Sequence, residues 1–241
     1  MNSRKPDDEI TSEGHMTKAP VLIKINEQEN VSGILSVPDG YRRGEDRAVI
    51  ISHGAGNDMD NPLIVHLADG LAAAGYLTLR FNFLYREKGR KSPDSQAVLI
   101  QAWQGAYRYI SEHQDHGTGR IIAAGKSMGG RIAAQMTADG ILPAERLVFF
   151  GYPLHGPGKQ DQPRDTHLSA ITIPMLFFAG TRDALCDLGT LQKVLRRLEG
   201  SWDLEVIEGG DHSFDLPKSD AVSPEKVYDR ILNKTIEWLR A

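Results

Sequence analysis

The chain has 241 residues, 40% hydrophobic and 25% charged, with a formal net charge of −4, the profile of an ordinary soluble globular protein. Its mildly acidic balance argues against nucleic acid as the main partner, which needs a dominant basic surface, and its one cysteine, Cys186, excludes an intrachain disulfide framework and a thiol-rich metal site. No stretch approaches the roughly 18 uninterrupted apolar residues of a membrane span, so no membrane partner and a cytoplasmic location are expected.

Residues 1–18 are rich in Ser, Asp, Glu and Lys; too little apolar surface is available there to offset ordering entropy, so a disordered tail is expected ahead of one domain over 19–241. Val21–Ile25 and Val31–Val37 read as a hairpin joined near Glu27–Asn30 and ended by Pro38-Asp39-Gly40. Ala48–Ser52 is a continuous β-rich run, as for a strand buried on both faces, and leads into His53-Gly54-Ala55-Gly56-Asn57. Leu63, Ile64, Leu67, Leu71 and Ala74 recur at helical spacing before Gly75. Leu77–Phe83 is the next strand, followed by a basic loop and a helix over Ala97–Ile110. Ile121–Gly125 turns at once into a helix over Met128–Ala138. Strands at Leu147–Tyr152, Met175–Ala179 and Leu204–Ile207 alternate with helices near Leu188–Leu198 and Pro224–Leu239, while His155–Ala170 is an aperiodic, Gly/Pro-rich insertion. Strands alternating with helices predict an α/β fold with about eight strands and helices on both faces.

The abrupt strand-to-helix passage carries Gly125-Lys126-Ser127-Met128-Gly129, a G-x-S-x-G pattern in the context of a nucleophile elbow. A serine in such a turn is backbone-strained, its hydroxyl exposed above the carboxyl edge of the sheet, and small residues two before and two after let strand and helix approach. The amide of Met128 opens the helix and points where an oxyanion would form. The alternative is a phosphate-binding turn or a plain glycine bend. A serine hydroxyl needs a base, and the base an orienting carboxylate. Asp183, a few residues past the strand ending near Ala179, and His212, after the strand ending near Ile207, follow Ser127 in the order acid then histidine. Asp187 competes as the acid, but lies where an aspartate caps a helix. The amide of Ala55, in the His53-Gly54-Ala55-Gly56 loop, is the candidate second oxyanion donor, with His53 shaping the loop.

Together these segments resemble the α/β-hydrolase superfamily from about Val21 to Leu239, and more narrowly its small bacterial dienelactone-hydrolase-related branch of largely unassigned substrate, through Arg80-Phe81-Asn82-Phe83 with Tyr85-Arg86 and through Tyr152-Pro153-Leu154-His155 with Gly158-Lys159. The resemblance implies an α/β-hydrolase fold: a mostly parallel eight-stranded sheet with its second strand antiparallel, and Ser127, Asp183 and His212 as a catalytic triad. Dienelactone hydrolases proper carry a cysteine nucleophile where this chain has Ser127, so their ring-opening reaction does not carry over.

Arg86-Glu87-Lys88-Gly89-Arg90-Lys91 reads first as a solvated loop and second as an attractor of anionic substrate; Arg80 and Arg86, flanking aromatics, are its better candidates for binding, with His155 another residue near the site. The insertion is expected to form a minimal lid. His155 and His167 lack a ligand pattern suited to zinc, so neither metal nor cofactor is expected. These readings converge on a serine hydrolase acting on a small-molecule acyl substrate (ester, thioester or lactone), as a monomer or homodimer. A non-catalytic hydrolase-fold protein binding a ligand or partner is the rival.

Overall fold

The computed structural model describes residues 16–241. Eight strands form one open sheet: β1 (Met16–Lys24), β2 (Asn30–Pro38), β3 (Ala48–Ser52), β4 (Leu77–Phe81), β5 (Ile121–Lys126), β6 (Arg146–Phe150), β7 (Met175–Gly180) and β8 (Trp202–Ile207). Their spatial order is β1-β2-β4-β3-β5-β6-β7-β8. β2 runs antiparallel to both neighbours, and all pairs from β4 to β8 are parallel. This is the α/β-hydrolase architecture expected from the sequence.

The central strands are buried end to end because helices cover both faces: β3, β5 and β7 show no exposed position. Alternation divides their side chains between two layers. Ile50, Ala123 and Phe149 pack under α3 (Gln96–Ser111) and α4 (Met128–Ala138) with Trp103 and Ile132. Val49, Ile51, Ile122 and Phe150 pack under α1 (Pro62–Ala73) and α6 (Pro224–Arg240) with Leu63, Leu67 and Ile231. Each large side chain so buried contributes about 1.5–3 kcal/mol. α1 starts where it does because Asn61 accepts from the amide of Leu63 at 3.2 Å and Pro62 opens the first turn. α5 (Leu188–Leu195) follows β7.

Several local features differ from the expectation: β6 ends at Phe150 instead of Tyr152, β8 begins at Trp202 instead of Leu204, and α5 ends at Leu195 instead of Leu198. β1 begins at Met16, pairing Met16 with Pro38 and Lys18 with Ser36, so residues 16–18 are strand rather than tail; the rest of the expected tail, 1–15, lies outside the described residues. The basic loop contains a one-turn helix, α2 (Leu84–Glu87), whose Leu84 and Tyr85 are buried. β4 stops at Phe81, and the amide of Asn82 then donates to the carbonyl of Ser32 at 2.9 Å. The insertion between β6 and β7 is mostly exposed coil, closed by a single 3₁₀ turn at Leu168–Ala170 with Leu168 buried.

The consequence for function is positional. In a parallel sheet the segments leaving β3, β5, β7 and β8 emerge at one edge, which brings 53–57, Ser127, 181–187 and 208–215 together.

Candidate functional site

Ser127 sits between β5 and α4 with φ 50° and ψ −117°, a conformation that costs about 1–3 kcal/mol and survives only because its surroundings dictate it. Those surroundings are glycines. A Cβ on Gly125 would lie 2.3 Å from the nitrogen of Gly130, and one on Gly129 would lie 2.2 Å from Ser52 Oγ and 2.6 Å from the carbonyl oxygen of His53. The indole Nε1–H of Trp103, on α3, donates to the carbonyl of Gly129 at 3.2 Å and braces the turn from below. The amide of Met128, first residue of α4, has no helical acceptor and is free to donate at the helix N-terminus.

Ser127 Oγ lies 2.8 Å from His212 Nε2, and His212 Nδ1 lies 2.8 and 2.9 Å from the two carboxylate oxygens of Asp183. The Asp183 side chain is 0% exposed and that of His212 23%. A carboxylate can only accept, so His212 Nδ1 carries the proton and Nε2 is left with a lone pair facing the serine hydroxyl. Asp183 Oδ1 also accepts from the amide of Leu185 at 2.7 Å, fixing the carboxylate's rotamer. The loops carrying acid and base are stitched to each other: Arg182 N–H donates to the carbonyl of Gly210 at 2.8 Å and Gly209 N–H to Thr181 Oγ1 at 2.9 Å. Asp187 caps α5, accepting from Thr190 N–H at 2.8 Å and Thr190 Oγ1 at 2.6 Å, and these bonds hold its pKa below the ordinary carboxylate value. Of the two candidate acids, the structure brings Asp183 to the histidine.

The loop after β3 is organised by His53. Its buried ring donates from Nδ1 to the carbonyl of Gly54 at 2.8 Å and accepts at Nε2 from the amide of Phe83 at 3.1 Å. Both nitrogens are thereby committed to the neutral ring, and burial lowers its pKa to about 4. The Gly54 carbonyl also accepts from Tyr85 OH at 3.2 Å and from Asn57 N–H at 3.4 Å. In a trans peptide the N–H points opposite the C=O, so fixing this carbonyl inward turns the Ala55 amide outward. The Gly54–Ala55 peptide stands beside the serine, since a Cβ on Gly54 would lie 3.3 Å from Ser127 Cβ. Tyr85, which entered the sequence reading only as part of a motif that carries the resemblance, is the member of this arrangement to which the sequence assigned no role.

His155 repeats the pattern of His53 on the other side of the site. It is buried, donates from Nδ1 to the carbonyl of Gly156 at 2.9 Å and accepts from Asp187 N–H at 2.8 Å. It therefore staples the insertion to the acid loop, with neither nitrogen left for a ligand. The guanidinium groups of Arg80 and Arg86 are engaged by carboxylates within the protein, with Arg86 Nε buried and without a partner. Arg80 bonds the Met59 carbonyl and pairs with Asp60, and Arg86 pairs with Asp58 at 2.9 Å, so both brace the 57–61 loop. In the basic loop Lys88 pairs with Glu29 and Arg90 with Asp94, so that with Arg86 three of its four cations meet carboxylates. Cys186 is buried, and burial pushes its thiol up to about 12, far from a nucleophile's range. His167 bonds Tyr152 OH at 2.8 Å. Among the described residues no helix is long and apolar enough to cross a membrane.

The sequence profile of the alpha/beta hydrolase domain matches residues 45–240. A protein of Mycobacterium tuberculosis (strain H37Rv), provisionally named a phosphoribosyl transferase, is 25% identical over 195 residues; the match covers 78% of this chain, which spans 40% of the length of that relative. Among solved structures, the dienelactone hydrolase of Anabaena variabilis superposes with a TM-score of 0.70 at 20% identity, covering 93% of this chain and 97% of its own. Est1E from Butyrivibrio proteoclasticus, with ferulic acid bound, superposes with a TM-score of 0.71 at 17% identity, covering 92% and 100%. At these identities the likeness is one of fold.

Proposed function

This chain belongs to the alpha/beta hydrolase domain family, and from that premise we propose that it is a serine hydrolase of the carboxylesterase type, cleaving an ester or related acyl bond of a small molecule through an acyl-enzyme on Ser127. One observation carries the reading: Ser127 Oγ, His212 and Asp183 form a continuous hydrogen-bonded chain of 2.8–2.9 Å links on a strained elbow.

The chemistry follows from the hydrogen bonds. His212, its Nδ1–H held by Asp183, accepts the Ser127 proton at Nε2 as Oγ attacks the acyl carbon. Charge moves onto the carbonyl oxygen, where the amides of Met128 and Ala55 donate; losing one such donor costs about a hundred- to a thousandfold in rate. The imidazolium then gives its proton to the departing alkoxide or thiolate, and the acyl group stays on Oγ. Water, deprotonated by His212, reverses the sequence and releases the acid. The Asp183 carboxylate stabilises the imidazolium in a site where its side chain is shut off from solvent.

The same apparatus accepts esters, thioesters and lactones, and the fold does not choose among them. Specificity belongs to the walls: the His53 loop on one side and the insertion, stapled by His155, on the other. The test is hydrolysis of a short acyl ester by wild type and by Ser127→Ala. Turnover by the wild type and its loss in the variant is the expected result; turnover unaffected by the substitution would remove Ser127 from the mechanism.

A further inference from the structure

Lys126, the residue before the nucleophile, lies at the end of β5 and is only 8% exposed; of the described Lys, Arg, Asp and Glu residues, it and Asp183 are the two buried over the whole residue. An ammonium group is not placed there cheaply, because burial disfavours its charge. Its surroundings say what holds it. Nζ donates a short hydrogen bond to the backbone carbonyl of His212 and stands 5.5 Å over the ring of Phe214. Asp183 from the acid loop and Asp211 and Asp215 from the base loop face it electrostatically without bonding it directly. Gly151, after β6, leaves the space: a Cβ there would lie 3.1 Å from Lys126 Nζ, 3.2 Å from His212 O and 3.6 Å from His212 Cε1.

The base loop needs an anchor at this point. Asp211 closes the loop on itself, accepting at Oδ1 from Ser213 N–H at 2.7 Å and Asp215 N–H at 3.0 Å. Phe214 is held at φ 68°, a left-handed conformation that costs a non-glycine residue energy. The ties to the acid loop enter at Gly209 and Gly210, upstream of the histidine. At His212 itself, the backbone tie to the elbow is the Lys126 ammonium.

We propose that Lys126 is a positioning residue: its ammonium latches the His212 carbonyl and the Phe214 ring to the elbow, setting the imidazole on the line between Asp183 and Ser127. The nucleophile's own neighbour in sequence thus fixes the base, so that elbow and base loop move as one piece. This rests on the hydrolase reading above for its catalytic consequence, but not for its structural one.

The latch has a pH dependence that an inert filler would lack. Burial lowers the Lys126 pKa from 10.5 to about 8, opposed by the charges of Asp183, Asp211 and Asp215. A neutral amine bonds a carbonyl more weakly than an ammonium does, so the latch loosens as pH rises through about 8.

The experiment uses the full chain as wild type, Lys126→Met and Lys126→Arg. Two readouts are taken from pH 7 to 9.5: the rate of fluorophosphonate labelling of Ser127, and hydrogen–deuterium exchange of peptides covering 209–216. Since a misplacement of about 1 Å costs about a hundredfold in rate, Lys126→Met is expected to label about ten- to a hundredfold more slowly, with faster exchange confined to the base loop and a melting temperature near that of wild type. Wild type should lose labelling rate and loop protection above pH about 8; Lys126→Arg, which stays charged, should not. Labelling by Lys126→Met at the wild-type rate, or slower labelling with unchanged loop exchange, overturns the latch. A wild type that takes no label while Lys126→Met still loosens the loop overturns the hydrolase reading and leaves the latch standing. Should Lys126→Met not fold, the comparison of wild type with Lys126→Arg decides, and parallel pH profiles overturn the proposal.

Discussion

Replacing Gly180 by alanine offers a sharp test of how Asp183 and His212 are held relative to each other, because glycine brings no side chain of its own to the site. A Cβ at Gly180, the last residue of β7, would lie 2.2 Å from the carbonyl oxygen of Gly210, 2.6 Å from its carbon and 2.8 Å from the carbonyl oxygen of Asp211. All three atoms are backbone and cannot rotate away. Restoring a tight but tolerable contact of about 3.2 Å needs the two loops to part by about 1 Å, and overpacking of this kind costs about 1–3 kcal/mol. For a chain of this size that is a fall in Tm of roughly 2–12 °C. The same separation acts on the 2.8 and 2.9 Å bonds between His212 and Asp183, which span these loops, so the expected loss in acylation rate is about a hundredfold. The assay pairs the fluorophosphonate labelling rate with thermal melting. A folded Gly180→Ala protein that labels as fast as wild type would refute the claim that this backbone contact sets the acid–base geometry.

Acid should weaken the fold through His53. Its pKa is about 4 in the folded protein against 6.5 ordinarily, so the unfolded chain binds the proton first; stability present above pH 6.5 is lost as pH falls toward 4, by about 3 kcal/mol in all. The Tm of wild type should drop across that window more steeply than that of His53→Gln, and parallel curves would contradict the assignment. Tyr85→Phe removes the hydroxyl that bonds the Gly54 carbonyl at 3.2 Å; a neutral hydrogen bond is worth about 1 kcal/mol, so acylation should slow about fivefold while folding is retained, and an unchanged labelling rate would show that Tyr85 does not orient the Ala55 amide.

Much of the site was legible because it depends on chain order and local backbone. Gly125 to Gly130 advertise a close strand–helix approach, and Ser127, Asp183 and His212 each follow a β-rich run that ends at one sheet edge. His53 was legible as a loop-shaping residue because its ring bonds the adjacent peptide. What was hidden depends on long-range pairing. Arg80 and Arg86 meet Asp60 and Asp58 across a strand and a loop, so nothing in their own neighbourhoods shows that their charges are already matched. Lys126 is buried only because the base loop folds over it, and a lysine beside a serine carries no mark of that in sequence. α2 is four residues long, too short for periodicity to register. The first residues of β1 escaped because this edge strand is largely exposed, with Ile23 its buried side chain, and polar edge positions look like a tail.

The proposed chemistry depends on Ser127 acting as a nucleophile activated by His212. It is tested most directly by exposing wild type, Ser127→Ala and His212→Ala to a fluorophosphonate and reading intact mass followed by peptide mapping, which needs no knowledge of the substrate. One adduct per wild-type chain is expected, on Ser127, and none on either variant. A folded wild-type protein that takes no adduct, or takes it equally well without His212, would contradict it.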